Sequence, residues 1–187
     1  MPSAVVDGYA RSQSIDHVGV LAEVIEGFAE TGYEILVVPH SFRTGGGRGR
    51  MNDGPVVDDL EHRVVSGAAT FRNEDLGPRE LRSITEWADV VVTGRFHGMV
   101  SSLEVGTVPV VIGWSHKYGE VLDQFGVGDQ AIAVGDLSSD SLRRKIGETL
   151  NDLDALQVRV TDAHDGVVAS AQRNIDVIVE IANPSPT

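Results

Sequence analysis

An arginine and a histidine lie two residues apart, directly after a short apolar stretch. Asp89-Val-Val-Val92 predicts a buried strand, and the turn from Thr93 to Gly98, with Gly94 at its bend, opens a helix. A helix start presents unpaired N–H groups, and Arg95 adds a planar, permanently charged fork, so both favour an anion such as phosphate or carboxylate. His97 can donate or accept a proton near pH 7. The spacing alone fits equally well an arginine and a histidine that only cap the helix or form a salt bridge.

Basic residues also follow two other apolar runs that predict strands. Lys117 comes after Val108–Ile112, and His40 and Arg43 come after Tyr33–Val38. In an open parallel sheet the carboxyl ends of the strands meet at one edge, where ligands bind, so these side chains are candidates for binding the same anion. The alternatives are an exposed loop lysine and a histidine that stabilises its own turn.

Three further features have both a functional and a structural interpretation. The Gly45–Arg50 segment is rich in glycine but lacks the Gly-Lys-Ser/Thr ending of a phosphate loop, so we interpret it as a mobile loop. Asp58 and Asp59 fit the exposed first turn of a helix, where the dipole favours acids. Trp114 can form a wall for a sugar ring or pack in the core.

Strand and helix patterns alternate along the chain and indicate how these residues are positioned. The runs that predict strands are Tyr33–Val38, Ala68–Phe71, Asp89–Val92, Val108–Ile112 and Ala131–Val134. The segments that predict helices are Ile15–Ala29, Pro55–Val65, Phe96–Val105, Tyr118–Gln124 and Leu153–Ile181, with Ser14 as the cap of the first. Two further helices begin at Pro78 and at Ser138 or Ser139. The helix from Pro78 has Leu81, Ile84 and Trp87 on one face.

This alternation predicts an α/β fold with a parallel, Rossmann-like sheet covered by helices on both faces. Ala4–Val6 is too short to assign and fits the remnant of a further strand. We expect one domain over residues 1–182 and a flexible tail over residues 183–187.

Composition limits the classes of partner. The chain has 187 residues with 15 basic and 28 acidic side chains, and its formal charge of −13 repels nucleic acid and anionic membrane surfaces. No apolar run approaches the length that spans a membrane, and the N-terminus lacks a signal-peptide pattern. Cysteine is absent, which excludes disulfides and thiolate metal sites. These features predict a cytoplasmic location, no nucleic-acid partner and no integral membrane segment.

The region from Trp87 to Phe125 combines these features in a characteristic order. The region begins with an aspartate and an apolar strand. Next come an arginine, a hydrophobic residue, a histidine and a small residue. They are followed by a helix, a Gly-x-x-Pro segment, a second apolar strand and a lysine. The elements here are Asp89, Arg95-Phe96-His97-Gly98, Gly106-Thr-Val-Pro109, Val110–Ile112 and Lys117. This order resembles the signature region of the polysaccharide pyruvyltransferase family. Val38-Pro39-His40 and Asn52-Asp53 resemble its layout as well, so the resemblance covers most of the chain.

The resemblance implies transfer of the enolpyruvyl carbons of phosphoenolpyruvate to two hydroxyls of a sugar, in a polysaccharide or its precursor, with a pyruvate ketal and phosphate as products. His97 would be the general acid/base, and Arg95 would hold the phosphate or carboxylate of the donor. Phosphoenolpyruvate is then a donor substrate, and no cofactor or metal is expected. Glu104 lies late in its helix, near where many GT-B enzymes keep a glutamate for the sugar nucleotide. The residues expected to bind substrate are Gly94, Phe96, Gly98, Lys117, His40, Arg43, Asp53 and Glu104.

The resemblance also implies two Rossmann-like domains facing a cleft, similar to GT-B glycosyltransferases, with this chain as the C-terminal half. The chain is then a fragment, or a partner chain completes it, or it is a degenerate homologue. Two other functions remain open: a GT-B-type nucleotide-sugar glycosyltransferase or epimerase domain, suggested by Leu103–Pro109, and a non-catalytic binding module. An apolar stripe between Val158 and Ile181 predicts a helix that packs on the first domain or forms a homodimer.

Overall fold

Short strands form two parallel sheets in the computed structural model, which describes residues 1–45, 47 and 49–182. In the first sheet β1 pairs with β2, and in the second the order is β3-β4-β5. Every pairing in both sheets is parallel. The strands are β1 (Leu36–Val37), β2 (Thr70–Phe71), β3 (Val90–Thr93), β4 (Val108–Gly113) and β5 (Ala131–Ala133).

Helices flank the strands and provide the crossovers that parallel neighbours require. The helix α3 connects β1 to β2, α5 connects β3 to β4, and α6 connects β4 to β5. The chain therefore has an α/β, Rossmann-like fold, and this prediction is confirmed. The helices are α1 (Ala4–Ser12), α2 (His17–Glu30), α3 (Gly54–Arg63), α4 (Pro78–Trp87), α5 (Phe96–Glu104), α6 (Lys117–Gln124), α7 (Ser139–Asn151) and α8 (Leu153–Ala182).

The central strand β4 belongs to two hydrophobic cores because both of its faces are covered. Val110 and Ile112 pack with buried residues of α1, α2, α3 and α7. Val108 and Val111 pack with buried residues of α5, α6 and α8. A near-continuous run of β-branched residues is typical of a strand buried on both faces, which explains why this strand matches its predicted position closely.

The N-terminal region differs from its sequence pattern. Ala4–Val6 forms the first turn of α1, so the predicted strand remnant is wrong. The Ser3 side chain caps this helix, accepting a hydrogen bond from the N–H of Val6 at 3.4 Å. The next helix begins two residues later than predicted, because Asp16 rather than Ser14 caps it.

The predicted strand Tyr33–Val38 is reduced to the two residues of β1. Within the described residues, β1 pairs only with β2 and β3 only with β4, so the strands form two sheets instead of the one expected. Within each sheet the paired strands run in the same direction. The loops after β1, β3 and β4 carry the candidate side chains.

Two apolar surfaces are exposed in the single chain. Trp87 ends α4 with 76% of its surface exposed, although the pattern places it on one face with Leu81 and Ile84. The helix α8 buries Leu156 and Val160 in its first half, but the large apolar residues of its second half are exposed. The homodimer through this helix stays a prediction.

Within the ranges described above, no helix has both the length and the apolarity needed to cross a membrane. The predicted tail over residues 183–187 lies outside those ranges.

Candidate active site

A buried ion pair between Asp53 and Arg95 lies at the centre of the candidate site. The Nε atom of Arg95 lies 3.0 Å from Oδ2 of Asp53, and Nη2 lies 2.5 Å from Oδ1. The Asp53 side chain is fully buried, and the Arg95 side chain is 11% exposed. Two parallel contacts between a guanidinium and a carboxylate fix the plane of the guanidinium. Asp53 therefore orients Arg95.

The same carboxylate joins three parts of the fold. Oδ1 of Asp53 accepts a hydrogen bond from the N–H of Ala4, at the start of α1, at 2.7 Å. Oδ2 accepts one from the N–H of Ser41, in the loop after β1, at 3.0 Å. Nη2 of Arg95 also donates to the carbonyl oxygen of Arg50 at 2.9 Å. In the described residues no hydrogen bond involves Nη1 of Arg95, which leaves its two N–H groups for an anion.

Two histidines lie beside this pair. The rings of His40 and His97 are nearly parallel, at 16°, with their centroids 6.5 Å apart. His97 is exposed, whereas His40 is partly buried. Burial lowers the pKa of His40, the charge of Asp53 opposes this shift, and the charge of Arg95 adds to it. His40 is therefore neutral near pH 7 and can exchange hydrogen bonds with a ligand without adding charge.

The first turn of α5 is open to a ligand because no side chain caps it. Arg95 is the N-cap residue, and its own N–H donates to Oγ1 of Thr93 at 3.1 Å. Phe96 packs edge-to-face against Tyr118, and the hydroxyl of Tyr118 donates to the carbonyl oxygen of Gly94 at 3.1 Å. Within the described residues, the first N–H groups of α5 have no side-chain cap, and like Arg95 they follow the carboxyl end of β3.

Close packing holds the turn in place and requires glycine at both of its ends. A Cβ atom on Gly94 would lie 2.5 Å from Cγ2 of Val6 on α1. A Cβ atom on Gly98 would lie 2.6 Å from Oγ1 of Thr93 and 3.4 Å from Cδ2 of His40. Both glycines thus let neighbouring elements approach the Arg95 backbone.

We expect Gly98→Ala to destabilise the protein by about 1–3 kcal/mol, the usual cost of overpacking. Thr93 can make room for the new methyl group only by rotating Oγ1 away from the N–H of Arg95, which breaks that hydrogen bond. Urea unfolding measures the change. The matched control is Gly147→Ala in the interior of α7, where the new Cβ meets no atom within 4 Å. That variant should gain about 0.5–1 kcal/mol, and equal gains in both variants would contradict close packing at Gly98.

The remaining predicted residues differ in how near they lie to this cluster. Lys117 is exposed at the start of α6, and the hydroxyl of its neighbour Tyr118 contacts the turn at Gly94. Arg43 is exposed, and its backbone N–H donates to Oδ1 of Asn52 at 3.2 Å. Glu104 lies at the far end of α5, where it pairs with Arg82 of α4 at 2.6 Å. The structure therefore does not bring Glu104 together with Arg95 and His97.

Aromatic residues line a groove near the Asp53–Arg95 pair. The sequence patterns did not indicate that these residues lie together. The volume of the groove is about 500 Å³, and it lies beyond the carboxyl ends of β4 and β5, between Trp114, Tyr9 and Tyr118. The rings of Tyr9 and Trp114 stack with centroids 5.3 Å apart, and the Arg50 guanidinium lies 5.5 Å from the centroid of Tyr9. Tyr9 was missed because its segment had no helical pattern long enough to assign.

No three His, Asp or Glu side chains within residues 1–45, 47 and 49–182 are placed to hold a metal ion. The groups that converge on this edge are instead a permanent cation, two imidazoles and a helix N-terminus, which suit an anionic organic ligand.

Comparison with known proteins identifies the family of the segment that holds this site. A family model described as polysaccharide pyruvyl transferase matches residues 5–116, which include Asp53, Arg95 and His97 and end one residue before Lys117. No solved structure matches the chain. The matched segment covers more than half of the sequence and carries the whole Asp53–Arg95 cluster: the chain belongs to the polysaccharide pyruvyl transferase family.

Proposed function

We propose that this site binds phosphoenolpyruvate and transfers its pyruvyl group to two hydroxyls of a sugar, forming a ketal and releasing phosphate. The observation that supports the proposal is the Arg95 side chain, which Asp53 fixes in a plane while Nη1 stays open beside the uncapped start of α5. Phosphoenolpyruvate has two anionic groups, a phosphate and a carboxylate. One can bind Arg95 and the helix N–H groups, and the other can reach the exposed Lys117.

In this reaction His97 serves as the proton carrier. It donates a proton to C3 of the enol, which leaves an oxocarbenium-like centre at C2. A sugar hydroxyl attacks C2, and His97 takes the proton of that hydroxyl. A second hydroxyl of the same sugar then displaces the phosphate, which leaves with the second proton. Arg95 and the N–H groups of the α5 turn stabilise the negative charge of the departing phosphate.

The groove between Trp114, Tyr9 and Tyr118 is the proposed binding site of the sugar. Trp114, which is 40% exposed, stacks on Tyr9 in the lining of this groove, beyond the carboxyl end of β4. Sugars are commonly held by rings that contact their apolar C–H groups, while polar groups nearby bind the hydroxyls. The polysaccharide family match supports a sugar acceptor.

Amide chemical shifts, followed during three titrations, test the proposal. Phosphoenolpyruvate should shift the amides of Gly94–Gly98 and His40, more strongly than inorganic phosphate at the same concentration. A uridine diphosphate sugar should not compete with it. Equal shifts with the uridine diphosphate sugar would favour a glycosyltransferase or epimerase domain. No shift with either compound would favour a non-catalytic binding module.

We expect Arg95→Lys to weaken phosphoenolpyruvate binding at least about tenfold, the loss that accompanies one charge-assisted hydrogen bond. Lysine keeps the charge but cannot bond to both oxygens of Asp53 and to an anion at once. Calorimetry of phosphoenolpyruvate binding measures the effect, with Arg144→Lys, an exposed arginine on α7, as the control. Equal affinity of the Arg95→Lys variant and the parent protein would show that Arg95 only holds the fold together.

A further inference from the structure

A cavity of about 520 Å³ separates the two parallel sheets. Residues 35–38 line it from the side of β1, and residues 90–92 line it from the side of β3. Apolar side chains of α2, α4 and α7 cover it above and below. They include Leu21, Ile25, Ile84, Leu142 and Ile146.

Within the described residues, no strand pairs with the edge that β1 or β3 turns toward this cavity. On the far side of β1, the carbonyl oxygens of Ile35 and Val37 accept hydrogen bonds from Thr70 and Arg72. Peptide groups alternate in direction along a strand, so those of Leu36 and Val38 face away from β2 and toward the cavity. Buried peptide groups require partners. The cavity therefore favours an occupant with its own row of N–H and C=O groups as well as apolar side chains.

Met1 already forms a backbone hydrogen bond with one of these strand edges. Its N-terminal amine donates to the carbonyl oxygen of Val92, on the open edge of β3, at 2.7 Å. Burial lowers the pKa of this amine to about 5, so it is neutral near pH 7. A peptide N–H at the same point would make the same hydrogen bond without a charge to desolvate. Ser3 is extended, with φ −132° and ψ 123°, so the chain enters α1 from a strand-like conformation.

We propose that the cavity holds an extended apolar β-strand of about four or five residues, joined to the N-terminal side of Met1 and paired in parallel with β1 and β3. The length matches the edge that residues 35–38 offer. The added strand would merge the sheets into one, with the order β2-β1-new strand-β3-β4-β5. This is the order of the doubly wound dinucleotide-binding fold, in which the first strand lies at the centre. Its residues are mostly valine, isoleucine or leucine, because both faces are covered.

Other occupants fit the cavity less well. A small apolar ligand would leave the peptide groups of both edges unpaired. A second copy of the chain would have to insert a free apolar strand, whereas β1 to β5 are all paired within the described residues. A strand joined to Met1 needs no such rearrangement, because the backbone of Met1 already lies against β3.

The strand would also strengthen the candidate site. Its C-terminal end leads through Met1 to Ala4, whose N–H binds Asp53. Gly98 lies close to the same segment, since a Cβ atom there would be 3.5 Å from Sδ of Met1. Fixing Met1 in a central strand therefore fixes the carboxylate that orients Arg95.

Versions of the chain with five added N-terminal residues test the inference. One carries Val-Ile-Val-Ile-Val before Met1, a second has proline at the central position, and a third carries Ser-Gly-Ser-Gly-Ser. The apolar extension should raise the urea midpoint and slow amide exchange of Leu36, Val38 and Val90 at least about tenfold relative to the parent protein. The proline version should lose most of this gain, because proline cannot donate to the ladder and is excluded from central strands. The polar version should show none.

Three outcomes would overturn the proposal. Equal protection by the apolar and proline versions would show that the extension acts through general hydrophobicity and not as a paired strand. Protection by the same apolar pentapeptide added as a separate molecule, with none from the fused version, would show that the cavity receives a strand from another chain. Exchange in the parent protein that is already as slow as in the apolar version would show that the two edges need no partner.

Discussion

Replacing His97 with glutamine or alanine is expected to abolish pyruvyl transfer while the fold stays intact. The ring of His97 is exposed, lies edge-to-face with Phe96 and is beside His40, so its loss costs little packing. Loss of a general acid/base lowers the rate about a hundredfold or more. The measurement is phosphate release from phosphoenolpyruvate in the presence of a sugar acceptor, in a preparation in which the parent protein is active.

The matched control for this variant is His164→Gln. His164 lies on α8, away from the candidate site, and its closest charged partner is its neighbour Asp165. It should keep the parent rate, and both variants should unfold at the parent urea midpoint. Near-normal turnover of His97→Gln would remove His97 from the proposed mechanism and leave His40 as the remaining imidazole at the site.

Asp53→Ala should give the largest loss of stability, about 3–5 kcal/mol, because it leaves the guanidinium of Arg95 buried without its partner. The change also removes the acceptors for the N–H groups of Ala4 and Ser41. Urea unfolding measures the loss. Asp162→Ala on the exposed surface of α8 is the control, with an expected change within about 0.5 kcal/mol.

A double variant separates the charge of Arg95 from the other contacts of Asp53. If the unpaired guanidinium causes most of the loss, Asp53→Ala combined with Arg95→Met should be more stable than Asp53→Ala alone. If Asp53→Ala lowers the free energy of unfolding by less than about 1 kcal/mol, the pair contributes no more than an ordinary exposed ion pair. That result would contradict the buried geometry.

The elements around the turn from Thr93 to Gly98 could be predicted from sequence because their patterns are local. The run Val108–Ile112 is apolar on both faces, and the turn at Gly94 separates a strand from a helix with little ambiguity. The carboxyl-edge rule then placed Arg95, His97 and His40 on one side of the sheet. Those residues do lie together in the structure.

The partner of Arg95 could not be inferred from the pattern. Asp53 lies 42 positions earlier in the chain, at the start of α3, and meets Arg95 at the start of α5 only in the folded structure. Proximity of that kind depends on tertiary structure and leaves no periodic signal. The short helix α1 was missed for a related reason: its start, Ala-Val-Val, has β-forming residues, and the Ser3 cap together with the bond from Ala4 to Asp53 overrides that preference.

The position of β4 in both cores has a consequence for the order of folding. Of the three strand pairings, β3 with β4 joins the residues nearest in sequence, Val90 with Val108, while β1 with β2 closes a longer loop. Closing the shorter loop costs less chain entropy, so the β3-α5-β4 unit is the expected nucleus. That unit includes the turn with Arg95 and His97. Substitutions in the turn should therefore slow folding, whereas substitutions around β1 should mainly speed unfolding.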